Sequence, residues 1–114
     1  MSDAIEFQRS LDRQLITLRA EHGDDPSIVR DVDHSFIFAR KSAALAAADE
    51  LTEAGYSVAT GKSGLLRTVV QATIATELSP ATVDAASLYM LDVAARHGGT
   101  YDGWGAPIDD GSEG

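Results

Sequence analysis

The chain has 114 residues, 44% hydrophobic and 24% charged, with 18 acidic against 9 basic side chains and a formal net charge of -9. That length suits one domain around one core, and no apolar run approaches the ~20 residues that cross a bilayer, so a membrane partner is not expected. The lack of cysteine removes disulfides and thiolate chemistry, and the acidic balance disfavours direct contact with nucleic acid.

Residues 3–22 carry Ala4, Phe7, Leu11, Leu15 and Leu18 at helical spacing, which predicts an amphipathic helix docked through that stripe. His22-Gly23-Asp24-Asp25-Pro26 ends it, because Gly suits a C-terminal cap and Pro cannot continue the ladder. Val32 to Phe38 alternates, with Val32, His34, Phe36 and Phe38 on one face of a first strand. Ser42 to Ala54 predicts an Ala-rich helix whose buried stripe runs through Leu45, Ala48 and Leu51, with Gly55 as its stop. Tyr56, Val58 and Thr60 open a second strand. The turn Gly61-Lys62-Ser63-Gly64 folds it onto a third, where Leu66, Thr68, Val70, Ala72 and Ile74 share a face. Ser79-Pro80 supplies an N-cap and a first-turn proline for a helix buried through Val83, Ala86, Ser87, Met90, Leu91 and Ala94. Tyr101 to Ile108 is the last strand, and the acidic tail 109–114 is expected to fray.

This order predicts one α+β domain over 1–114: an N-terminal helix, 3–22, ahead of a ferredoxin-like βαββαβ core over 31–108. The expected sheet is antiparallel, of order 4-1-3-2, with two helices on one face and one core joining Phe36, Phe38, Val58, Val70, Ile74, Val83, Met90 and Leu91. In that topology Asp31, Asp33, Glu77, Asp109 and Asp110 converge at one end. Arg40, Lys41, Lys62, Arg67 and Arg96 collect at the other, a polarity suited to steering a charged partner.

Catalytic constellations fail on spacing. Five residues separate Gly55 from Gly61-Lys62-Ser63, where a phosphate-binding loop has four between and must open a helix. Gly61-Lys62-Ser63-Gly64 joins strands, whereas the similar nucleic-acid-binding loop joins helices. His22, His34 and His97 sit in separate segments without the spacing of a metal pair, and His34 reads as a buried, hydrogen-bonded histidine. No serine lies in a Gly-x-Ser-x-Gly elbow, and Asp24-Asp25 and Asp49-Glu50 read as solvated pairs. No catalytic, cofactor or metal site is expected.

Tyr101-Asp102-Gly103-Trp104 holds the single Trp. On a regular strand its two rings fall on opposite faces, one entering the core and one partly exposed to a partner, while Asp102 bonds nearby backbone amides. This run follows His97-Gly98-Gly99. Together with Asp33-His34 before Phe36-Ile37-Phe38, and with Leu51-Thr52-Glu53-Ala54-Gly55-Tyr56-Ser57-Val58, it resembles the RraB family of ribonuclease E inhibitors over Val32 to Ile108. The resemblance implies the same α+β fold and a noncatalytic, cytoplasmic, bacterial regulator of RNA decay without a cofactor. It implies ribonuclease E or a related RNA-degrading enzyme as partner. Here the chain departs from the family pattern: the family's members carry a long acidic tail, whereas this sequence has only the short Asp109-Asp110-Gly111-Ser112-Glu113-Gly114. The expected partner-binding residues are Tyr101, Asp102, Gly103 and Trp104 with the acidic end, Asp31, Asp33, Glu77, Asp109 and Asp110. Two other readings stay open. One is a small-molecule-binding module with a cleft beside Ile37 and Val69. The other is a homo-oligomer, such as a homo-dimer, in which a paired sheet or the N-terminal helix covers the open sheet face.

Overall fold

A computed structural model describes residues 2–112. Its elements are α1 (Ser2–Glu21), β1 (Arg30–Phe38), α2 (Lys41–Glu53), β2 (Ser57–Ser63), β3 (Arg67–Thr76), α3 (Pro80–His97) and β4 (Gly99–Gly105). The fold is α+β, with the N-terminal helix first. The strands form one sheet of order β2-β3-β1-β4, each neighbour antiparallel, which read from the β4 edge is 4-1-3-2.

β1 alternates throughout, burying Val32, His34, Phe36 and Phe38. Register places Phe36 across from Val70 and Phe38 across from Thr68, so large and branched side chains meet on one face. Both α2 and α3 pack there, Ala44, Ala47, Ala48 and Leu51 from α2 meeting Met90, Val93 and Ala94 from α3 over Phe36, Phe38, Val70 and Ala72. The alanines let α2 approach the stacked Phe36 and Phe38 rings closely. Leu45, expected on that stripe, is exposed instead. Leu66 is exposed too, because it lies in the turn and β3 starts only at Arg67.

The expected single core divides. Val58 and Leu91 are partly buried against the main cluster, whereas Val83 joins Val32 and Leu78 in a smaller one completed by Ile16 and Trp104. Ile74 is half-buried beside a cleft. The N-terminus of α3 forms as its sequence dictates, Ser79 Oγ accepting the Thr82 N–H at 3.4 Å with Pro80 in the first turn.

The largest departure is α1. Its inner face carries Gln8, Asp12 and Arg19, all buried, while Phe7, Leu11 and Leu18 are 68%, 43% and 52% exposed. The neighbours explain the inversion: α3 and the end of β4 present hydroxyl, indole and carbonyl groups. Arg19 donates to Ala106 O at 2.8 Å and Pro107 O at 2.9 Å, and such groups are satisfied by polar rather than apolar partners. Thus α1 lies beside α3, on the helical side, and does not cover the opposite sheet face with Ile37 and Val69. Nor is the tail loose at Asp109, whose carbonyl accepts the Asp25 N–H at 2.7 Å and whose own N–H donates to Asp24 at 3.0 Å. Residues 113–114 of that expected tail lie outside the described residues.

Candidate functional site

The site grows from one irregularity in β4. Tyr101 pairs with Phe36, yet Trp104 pairs with His34, so three steps along β4 match two along β1. Gly103 absorbs the extra residue at φ 97°, a backbone conformation that a side chain would strain. The bulge turns Tyr101 and Trp104 to the same face, correcting the expected alternation. Tyr101 is 8% exposed within the main core, and Trp104 is half-buried at the edge of the smaller cluster.

Asp12 stands at the centre. The Trp104 indole N–H donates to its Oδ1 at 2.8 Å, Gln8 donates to the same oxygen at 2.9 Å, and the Ser87 hydroxyl donates to Oδ2 at 2.7 Å. With 1% exposure the carboxylate depends on these donors for the solvation it lacks. Beside it the Tyr101 hydroxyl and His34 Nδ1 lie 2.8 Å apart. Burial lowers the His34 pKa to about 4, outweighing the nearby Asp12 and Asp33 carboxylates, so the ring is neutral at pH 7. Burial also raises the Tyr101 hydroxyl, and Asp12 adds to that shift. His34 is therefore buried and hydrogen-bonded, as its place in β1 predicts. Such a network fixes the junction of α1, α3, β1 and β4.

Two hollows flank Trp104. A cleft of about 450 Å³ on one side is lined by His34, Tyr56, Ile74, Val83 and Tyr89. On the other, α1 and β4 frame a groove of about 420 Å³ whose walls include Phe7, Leu11, Leu15, Leu91, Asp102 and Trp104. The outer edge of β4 carries no strand among the described residues, since β4 pairs with β1 alone.

The acidic residues gather only in part as one surface. Asp33 accepts the Thr73 hydroxyl at 2.6 Å, and Glu77 accepts the Ser79 hydroxyl at 3.1 Å. Asp31 is exposed at the same strand end, where Arg30 pairs with Thr76. Asp110 closes a local turn with the Ser112 N–H at 2.8 Å. The Asp102 side chain is exposed and makes no hydrogen bond among the described residues, contrary to its expected role toward neighbouring amides. Sequence reasoning missed Arg19 and Arg30, which are buried at this end and converge on Asp24. It also missed Gln8 and Asp12, and it placed Ser87 on the buried face of its helix without a polar partner; the available signal was the helical line Gln8, Asp12, Arg19 running beside the apolar stripe.

The family model for RraB, regulator of ribonuclease activity B, matches residues 9–106. The chain belongs to the RraB family. No individually curated protein matches it. The RraB match takes in Asp12, Ser87 and the whole β4 bulge, and it starts well before Val32, so most of α1 lies inside the family unit.

Proposed function

We propose that this RraB chain is a single-domain, ferredoxin-like, noncatalytic cytoplasmic regulator. In this reading it binds ribonuclease E, or a related RNA-degrading enzyme, without a cofactor, through the groove between α1 and β4. The apolar face that α1 leaves in solvent carries the reading: Phe7, Leu11 and Leu15 meet Asp102, Gly103 and Trp104 across one groove. Contiguous exposed apolar residues around an aromatic anchor are what protein partners bury. Tyr101 then serves the interface from inside, by fixing the bulge, and the acids Asp31, Asp33, Glu77, Asp109 and Asp110 steer association with a basic segment.

Calorimetric titration of ribonuclease E with Phe7→Ser plus Leu11→Ser tests this. Both side chains are exposed, so the fold should persist while affinity falls by about tenfold or more. Parental affinity in that folded double variant would remove the groove from the interface.

A further inference from the structure

Of the 9 lysines and arginines, five hold carboxylates: Arg9 and Arg13 reach Asp84, Arg19 and Arg30 reach Asp24, and Arg96 reaches Glu50 and Asp92. The other four, Arg40, Lys41, Lys62 and Arg67, have no ion-pair partner among the described residues, and all four are exposed. They also share one end of the sheet. Arg40 and Lys41 follow Phe38 at the end of β1. Phe38 pairs with Thr68, and Thr68 pairs in turn with Lys62 and adjoins Arg67. Between Lys62 and Arg67 the hairpin turn presents Leu65 and Leu66, 97% and 85% exposed, beyond any other large apolar residue described.

We propose that this hairpin end docks on the surface of an anionic lipid bilayer, Leu65 and Leu66 entering the interface while Arg40, Lys41, Lys62 and Arg67 meet lipid phosphates. Apolar side chains ringed by cations are the composition that holds peripheral proteins to such membranes. The apex is a projecting turn, which suits a surface that yields around it. No helix of the described residues is long and apolar enough to cross a membrane, and the contact proposed is a peripheral one. Of the acids behind the net charge of -9, exposed Asp102 lies closer to this end, one residue past the Tyr101–Phe36 pair. Four cations outnumber it there, while the acidic end of β1 is remote. Asp31 lies seven residues down β1 from Phe38, about 23 Å at strand rise, beyond twice the ~8 Å screening length of physiological salt.

Co-flotation of the full chain with vesicles tests the proposal. Vesicles of phosphatidylcholine with roughly one-third phosphatidylglycerol should recover about tenfold more protein than phosphatidylcholine alone. Lys62→Glu plus Arg67→Glu should abolish that preference, and Leu65→Ser plus Leu66→Ser should cut recovery by about tenfold with an unchanged thermal melt. Phe7→Ser plus Leu11→Ser should float like the parent. Equal recovery on both vesicle types, or indifference to both hairpin variants, overturns the proposal. Loss of flotation in the Phe7 and Leu11 variant alone would do so as well, by assigning lipid contact to α1. Binding of single-stranded RNA that needs Lys62 and Arg67, without lipid preference, would reassign this end to nucleic acid.

Discussion

Asp12 accepts from Gln8, Ser87 and Trp104 while almost wholly removed from solvent. Asp12→Ala strands these donors together, so urea unfolding should show a loss of about 3 kcal/mol, a large share of the stability of a domain this size. Any binding test of Trp104→Ala carries the same complication, because it removes one of the donors that keep α1 in place. His34 supplies a pH signature. Its folded pKa of about 4 lies below the unfolded value of 6.5, so between those values the unfolded chain binds the proton and the folded chain does not. Stability is therefore full above pH 6.5 and falls by about 3 kcal/mol as the pH drops to 4. Chemical denaturation of His34→Gln across that window should give a flatter slope. A third residue is fixed by contact: a methyl group on Gly99 would overlap the Phe38 ring. Gly99→Ala should thus cost about 1 to 3 kcal/mol in the same assay.

At the scale of elements, legibility followed the backbone period. β1 declared itself completely, because alternation along a strand with one buried face leaves a single solution for Val32, His34, Phe36 and Phe38. The Ser79-Pro80 start of α3 was equally plain, since a cap is a local interaction. β4 was not legible: Gly103 is one of several glycines in the run, and only the pairing with β1 shows which of them takes the bulge. For α1, periodicity correctly grouped Phe7, Leu11 and Leu18 on one side but assigned that side to the interior. Helical spacing tells which residues travel together; the surface that receives them decides which way they face. Here that surface offers Ser87, Trp104 and two carbonyls. The consequence is measurable, because Leu18→Glu on the outward side should leave the free energy of urea unfolding within about 0.5 kcal/mol of the parent.

For the whole molecule, α2 and α3 are clasped by Glu50, which accepts from Arg96 at 2.6 Å and Tyr89 at 3.1 Å and contacts His97 at 2.8 Å. The Arg96 guanidinium, with help from His97, lowers the Glu50 pKa from 4.5 to about 2. Its stabilisation is present above pH 4.5 and is lost as the pH falls toward 2. Parent and Glu50→Gln melting temperatures should accordingly differ at pH 7 and converge in acid. The polar seating of α1 has another outcome. The main core is assembled without it, from the sheet, α2 and α3, whereas α1 is retained by Asp12, by Arg19 on the carbonyls of Ala106 and Pro107, and by the Asp84 ion pairs. An element so attached opens in events that leave the rest of the molecule closed. Amide hydrogens of α1 should therefore exchange with solvent deuterium well before those of α2, making this wall of the groove the part of the molecule most often detached.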